Sequence, residues 1–437
     1  MPFGSSADAV AVALPRATTG VPLTSARQLL AGAVGNVLEW YDFAAYGYFA
    51  AIFGKNFFPS GNPVISLASA FGVFAAAFLM RPLGGALFGH IGDRFGRKQA
   101  LLTSAGLMTL ATVAIGFLPT YAAVGAAAPL LLVLMRLLQG LSVGGEFATS
   151  IVFLVERSAP HRRGLLGSFA SMGATSGVLL GSGVGVLETS LLSQAQLEAW
   201  GWRVPFLLGL ALGGAAFLLR RVMSDDAPMP ERRAGRLPLA EAFAVDWRDI
   251  VRGAVACASF AASFYLVFVY LVTLMQQVDG LPARRALEIN TLAMLVVLVA
   301  SPLFGALSDR IGRKPVLLGS VGGTVLLAWP LFWLLLRPEF GAILLGEAVF
   351  AVLIAAWGGT MEAMLVELYR ARTRCTSLSI SYNTAFALLG GTAPVVAVYL
   401  VSREHLDFGP AFYLMAMGAI SFAGVLTIPD RTGQPLR

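Results

Sequence analysis

Charge is scarce in this chain: Asp, Glu, Lys and Arg together make up 13% of its 437 residues, against roughly 25% in soluble domains. That shortage excludes an ordinary soluble fold, whose surface needs far more polar cover. Cysteine and histidine are scarcer still. Cys257 and Cys375 are the only thiols; one falls in an apolar run and the other beside a polar joint, so no disulfide framework is implied. His90, His161 and His405 are scattered near the joints, which gives no metal-ligand constellation. No nucleophile, base and orienting acid can be assembled, so an enzyme is the least favoured class and no cofactor is expected. Residues 1–27 contain a short apolar patch, AVAVALP, with no basic stretch before it. They read as a disordered cytoplasmic tail rather than a signal peptide.

What is abundant is apolar length. Hydrophobic residues form 57% of the chain, and runs of about 20, the length that crosses a hydrocarbon core as a helix, recur almost from end to end. They predict twelve spans, at 28–54, 65–89, 99–118, 129–154, 165–189, 202–220, 250–277, 287–307, 315–335, 341–367, 378–402 and 409–428. The expected fold class is an all-α polytopic membrane protein. A net charge of +7 raises the question of nucleic acid, and the placement of the basic residues answers it. The N-terminal tail, the even-numbered joints and the C-terminal residues hold 23 of the 31 Lys and Arg; the opposite joints hold six, and Arg81 and Arg136 lie within spans. The positive-inside rule then puts both termini in the cytoplasm of a protein of the cytoplasmic (inner) membrane, surrounded by lipid and not by nucleic acid.

The longest interruption, 221–249, holds Pro228, Pro230 and Pro238 among charges of both signs. It reads as a cytoplasmic linker between two six-helix bundles, 28–220 and 250–428, and leaves 429–437 as a short cytoplasmic tail. The halves echo each other. GALFGHIGDRFGRK (85–98) and SPLFGALSDRIGRK (301–314) each follow the second span of their half, and ERSAPHRRG after span four matches ELYRARTRC after span ten. An internal repeat of this kind marks transporters built from two similar bundles around a midplane site.

The pattern G-x-x-x-D-R-x-G-R-K, at Gly89, Asp93, Arg94, Gly96, Arg97 and Lys98 and again from Gly305 to Lys314, resembles the loop signature of the major facilitator superfamily. With GNVLEWYDF, RPLGG, RLLQGLSVGGE, WGWRVPFLLG and SLSISYN, the chain resembles the metabolite:proton symporter family within it, which includes permeases for α-ketoglutarate, citrate, shikimate and proline or betaine. The resemblance covers nearly the whole chain beyond residue 27. It implies the major facilitator fold, alternating access, and a proton gradient in place of any cofactor. In such proteins the loop gates the conformational change, so Asp93, Arg94, Arg97, Asp309, Arg310 and Arg313 are carried over as gating residues. The residues themselves point the same way: a merely topogenic basic cluster would need neither Asp93 nor Gly96, whereas an acid and arginines at helix ends can latch neighbouring helices.

Within the spans, GNVLEWYDFAAYGYFA (35–50) places Glu39 and Asp42 in an apolar, aromatic run. Spacings of three and four set Glu39, Asp42 and Tyr46 on one helical face, and Arg136, Gln139, Val143 and Glu146 share a face of span four. A lone charge in hydrocarbon costs about 2.5–3.5 kcal/mol even on a lenient scale, so a partner is expected, and Arg136 is available. Related sugar porters pair an acid of the first helix with an arginine of the fourth, freed when the acid takes a proton; that resemblance assigns Asp42 to Arg136, with Glu39 as the other candidate. The plainer reading is a permanent salt bridge fixing spans one and four, although buried pairs add little net stability. The proton-coupling set is therefore Asp42, Glu39, Arg136 and Glu146. Arg81 either binds an anionic substrate or holds the loop acids. Glu347 and Glu362 have no cation in their own span, and close packing of Glu362 beside Gly358 and Gly359 stays open. Arg136, Arg81, Tyr46, Gln139, Trp357 and Asn383 form the candidate substrate-binding set, while Tyr and Trp are also common at membrane interfaces.

The function expected first is proton-coupled import of a small organic carboxylate, met by the two core arginines. The alternative is a zwitterionic osmolyte such as proline or betaine, met by the surplus acids and the aromatic residues. A drug:proton antiporter ranks below both, because exporters of the superfamily carry a Gly-Pro motif in helix five and residues 164–189 contain no proline. The protein is expected to work as a monomer.

Overall fold

The computed structural model describes residues 26–221, 238–277, 281–337, 339–402 and 406–437; the expected N-terminal tail and most of the linker lie outside them. Every regular element among the described residues is helical. The first, α1 (Ala26–Tyr48), has 23 residues, long enough to span at 1.5 Å per residue, though Asn36, Glu39 and Asp42 make it the most polar of the set. Eleven further helices are long and apolar enough to cross a membrane: α2 (Ile65–Phe95), α3 (Lys98–Gly116), α4 (Ala127–Glu156), α5 (Pro160–Leu191), α6 (Gly201–Arg221), α7 (Trp247–Gln276), α8 (Arg284–Ile311), α9 (Arg313–Leu335), α10 (Phe340–Leu368), α11 (Arg374–Val401) and α12 (Gly409–Thr427). These match the twelve expected spans to within a few residues. The linker is shorter than expected, since Pro238–Val245 is helical and α7 already begins at Trp247.

Glycine decides how closely α2 and α4 meet. A Cβ on Gly140 would lie 1.9 Å from the Ala77 carbonyl oxygen, and one on Gly144 would lie 2.1 Å from that of Arg81, so only glycine lets the two backbones touch. This contact brings the RPLGG and GLSVGGE segments together and carries Arg81 and Arg136 into the interior. Glycine also explains the repeated loop: Gly96 has φ 101° and Gly312 has φ 99°, a region side chains disfavour. The chain thereby turns sharply from α2 into α3 and from α8 into α9.

The halves meet where α2 packs on α11 and α5 on α8. Two π-helical segments, Leu266–Tyr270 in α7 and Phe386–Gly390 in α11, interrupt spans of the second half. Such insertions recur at functional sites, and the residues just before each of them face the centre.

Candidate proton and substrate sites

Asp42 and Arg136 are fully buried. Arg136 Nη1 donates to Asp42 Oδ2 and to Gln139 Oε1, both at 2.7 Å. Gln139 Nε2 donates to Asp42 Oδ1 at 2.7 Å and to Thr112 Oγ1 at 2.9 Å. The guanidinium also lies 4.3 Å over the Tyr46 ring and 4.7 Å over that of Phe43, and the Tyr46 hydroxyl donates to the Ala70 carbonyl at 3.0 Å. The pairing read from helical faces is therefore present. Arg136, Gln139 and Tyr46 are not among the residues that line the pocket described below. Their helical face points them at α1, α2 and α3, inside the first six spans.

Glu146 belongs to a different cluster. It forms an ion pair with Arg220 and accepts from Ser104 Oγ, while Arg220 Nη1 donates to the Leu101 carbonyl at 2.8 Å. Arg220 stands at the end of α6 and counts as a loop cation in the sequence, yet it is fully buried. A signal for this existed: Gly209, Gly213, Ala216 and Arg220 recur at spacings of four, three and four, and all four are buried.

Arg81 stands at the break in α2 between Pro63–Leu79 and Arg81–Phe95. Its Nε donates across the halves to Asn383 Oδ1 at 3.0 Å, and Asn383 Nδ2 donates to the Gly144 carbonyl at 2.6 Å. Its Nη2 makes no hydrogen bond and lies 3.9 Å from Glu39 Oε1, whose two oxygens also lack hydrogen-bond partners. The rings of Phe78 and Phe386 lie 5.2 Å from the guanidinium and that of Tyr382 lies 5.9 Å away.

Beside Tyr382 a small cavity of about 10 Å³ lies between the halves. Trp40, Phe147, Ser171 and Thr175 line it from the first half, and Phe260, Phe264, Ser301, Gly358 and Tyr382 from the second. Trp40 and Phe264 meet edge to face at 5.0 Å and Phe147 and Tyr382 lie 5.0 Å apart. Trp357 stacks on Phe260 at 4.2 Å and so backs the wall without forming it. This aromatic enclosure was not legible in the sequence beyond a scatter of Tyr and Trp.

The repeated loops lock one face of the molecule. Asp93 Oδ2 accepts from the Thr376 hydroxyl at 2.7 Å and backbone N–H at 3.2 Å, at the start of α11. Asp309 accepts from the Gly164 and Leu165 N–H groups, both at 2.9 Å, at the start of α5, and from Arg313 Nη1 at 2.7 Å. Each acid thus caps a helix of the opposite half, where the positive end of the helix dipole favours it. The matching joints exchange partners in the same way: Arg374 with Glu156 at 2.7 Å, and Arg163 with Glu367 at 3.7 Å. Arg313 pairs with Glu367 as well. Arg94 and Arg310 are exposed and stand outside this lock, and the Arg97 side chain lies outside the described residues.

The tail at 429–437 is folded into the lock. The Gln434 carbonyl accepts from Arg163 at 2.6 Å and that of Arg437 from Arg374 at 2.7 Å, and Asp430 Oδ2 accepts from the Lys314 N–H at 3.0 Å. Burial works against the Asp430 carboxylate, but donation from Thr432 and from the Lys314 N–H holds its pKa below the usual value. On the opposite face Asn290 donates to Tyr48 at 3.0 Å and Ser182 bonds Thr291 at 2.8 Å, so the halves are joined on both sides of the pocket.

Comparison with known proteins fits this architecture. Residues 34–394 match the Major Facilitator Superfamily. The chain belongs to that superfamily. It is 33% identical over 426 residues to the glycine betaine/proline/ectoine/pipecolic acid transporter OusA of Dickeya dadantii (strain 3937), covering 94% of this chain and 84% of that one. It is 32% identical to the proline/betaine transporter of Escherichia coli (strain K12), covering 94% and 85%. Among solved structures, the proton:xylose symporter XylE bound to 6-bromo-6-deoxy-D-glucose superposes with a TM-score of 0.78 at 18% identity, over 94% of this chain and 97% of that one. The relatives are named for zwitterions, so they favour the second of the two expected substrate classes over the carboxylate.

Proposed function

We propose that the protein imports a small zwitterionic osmolyte of the proline or betaine kind together with protons. It works by alternating access in the cytoplasmic membrane, with both termini in the cytoplasm and as a monomer. The observation that carries this reading is the pocket between the halves, which has aromatic walls and an arginine with a free N–H group close by. A betaine carboxylate needs one guanidinium, and a quaternary ammonium is stabilised by aromatic faces. An organic acid met by two arginines fits less well, because Asp42 and Gln139 already hold Arg136 away from the pocket.

The site suggests how protons enter. A proton delivered to Asp42 removes the charge that fixes Arg136, and α1, which carries both Asp42 and Glu39, can then shift against α4. Glu39 and the substrate carboxylate compete for Arg81, so neutralising Glu39 favours substrate. The two bundles, tied by the linker, then exchange which face is locked. Uptake of labelled glycine betaine, proline and α-ketoglutarate into proteoliposomes, with and without an inward proton gradient, tests the reading. Gradient-stimulated accumulation of betaine or proline is expected; accumulation of α-ketoglutarate alone would restore the carboxylate.

A further inference from the structure

Some buried acids have no place in the scheme so far, Glu347 and Glu362 among them. Glu362, on α10, is 2% exposed. Its Oε1 accepts from Ser171 Oγ of the opposite half, and its Oε2 has no hydrogen-bond partner. Among the described residues no arginine or lysine acts on it. Ser171 lines the aromatic pocket, as does Gly358, one turn before Glu362 on the same helix. Tyr382, also on the wall, lies within electrostatic reach of both Glu362 and Arg81. Arg81 and Glu362, each incompletely hydrogen-bonded, thus stand just behind the pocket's lining, the first beside Tyr382 and the second bonded to Ser171 and one turn from Gly358.

We propose that Glu362 is the residue that selects a positively charged ligand group in this pocket, opposite the carboxylate subsite at Arg81. Glu39 is less suited to that task because Arg81 already stands beside it. An acid enclosed without a counter-charge is costly, and a quaternary or secondary ammonium entering the aromatic enclosure relieves that cost. A ligand of the same shape without the charge cannot. Ser171 reports the same event across the halves, since its hydroxyl holds Glu362 only when α5 and α10 are close. Glu362 thus links recognition of the cation to closure.

The inference rests on the zwitterion reading above, and the test separates the two. Glycine betaine and its uncharged-nitrogen analogue 3,3-dimethylbutanoate share size, shape and carboxylate and differ only in N⁺ against C. Binding of both would be measured on purified wild-type protein and on Glu362→Gln, whose side-chain oxygen can still accept from Ser171. Wild type is expected to prefer glycine betaine, and Glu362→Gln to weaken glycine betaine about tenfold or more while leaving 3,3-dimethylbutanoate unchanged or tighter. Glu362→Asp, which withdraws the carboxylate by one methylene, should fall between the two and serves if the glutamine variant is not recovered folded. An equal loss for both ligands would mean that Glu362 only joins the halves, and an unchanged preference would remove it from recognition; either overturns the proposal. If wild type binds 3,3-dimethylbutanoate but not glycine betaine, the zwitterion reading fails and this inference fails with it.

Discussion

Arg81 and Arg136, both buried in the first half, live in different circumstances. Arg136 is held inside its own half: a carboxylate, an amide and two aromatic faces surround it, every partner comes from the first four spans, and its Nε and Nη2 make no hydrogen bond. Arg81 reaches out of its half, hydrogen-bonds an asparagine of the other, and keeps one nitrogen unbonded beside an acid that is also unbonded. An ion pair enclosed within one bundle lies out of a ligand's reach, and breaking it leaves an uncompensated buried charge. It yields when a proton removes one of the charges. An incompletely bonded guanidinium at an interface gains from any carboxylate that arrives. The difference is the basis for proposing proton coupling at Asp42 and Arg136 and substrate recognition at Arg81.

The largest effect is expected where that separation is cut at its proton side. Asp42→Asn should abolish proton-driven accumulation while exchange of labelled for unlabelled betaine across the membrane survives, and Arg136→Lys should behave alike, since an ammonium cannot serve Asp42 and Gln139 in the fork geometry of a guanidinium. Loss of exchange in either variant would merge the two sites. Next in size, Arg81→Ala should weaken betaine binding roughly 100-fold by leaving the ligand carboxylate without its charged donor. Retained affinity in that variant, measured by calorimetry, would transfer recognition elsewhere. A smaller effect is expected from Asp309→Asn, which weakens the cap on α5: transport should slow or accelerate about tenfold, with the affinity of the locked state nearly unchanged. An affinity loss equal to the rate change would put the lock in the binding path.

The smallest effect concerns the tail. Asp430 has a lowered pKa, so its anchoring contribution is complete above its ordinary value of 3.8 and is lost only as the pH falls through the lowered one. The tail should therefore stay docked from about pH 8 to about pH 5. Asp430→Asn should change transport no more than about twofold. Site-directed fluorescence at the tail checks both statements, and undocking within that range would implicate the tail in the pH response.

Much of the fold was legible because it follows from local length and hydropathy. Twelve apolar runs of the right size fix twelve spans, and the repeated loop fixes which joints correspond. Asp42 with Arg136 was also legible, since both the acids and the arginine lie on narrow helical faces. Other parts depend on which helices touch. Arg220 sits where a topogenic arginine would, and the packing of α6 against α3 and α1 carries it to Glu146. The caps on α5 and α11 involve backbone N–H groups, which no residue type announces. Arg136 was expected among the substrate-binding residues, and in the structure its hydrogen bonds go to Asp42 and Gln139; a helical face tells which residues lie together but not which neighbour they meet. Trp40, Phe147, Phe260 and Phe264 look like ordinary packing in a chain with this many aromatic residues, and they become an enclosure only when the halves close.

The most direct measurement is proton movement driven by substrate alone. Proteoliposomes containing the purified protein and an internal pH dye, with no initial pH gradient or membrane potential, would receive external glycine betaine or proline. Internal acidification that depends on the inward substrate gradient and vanishes in Asp42→Asn is the predicted result. Betaine or proline entry without acidification, or acidification with α-ketoglutarate but with neither zwitterion, would contradict proton-coupled zwitterion import.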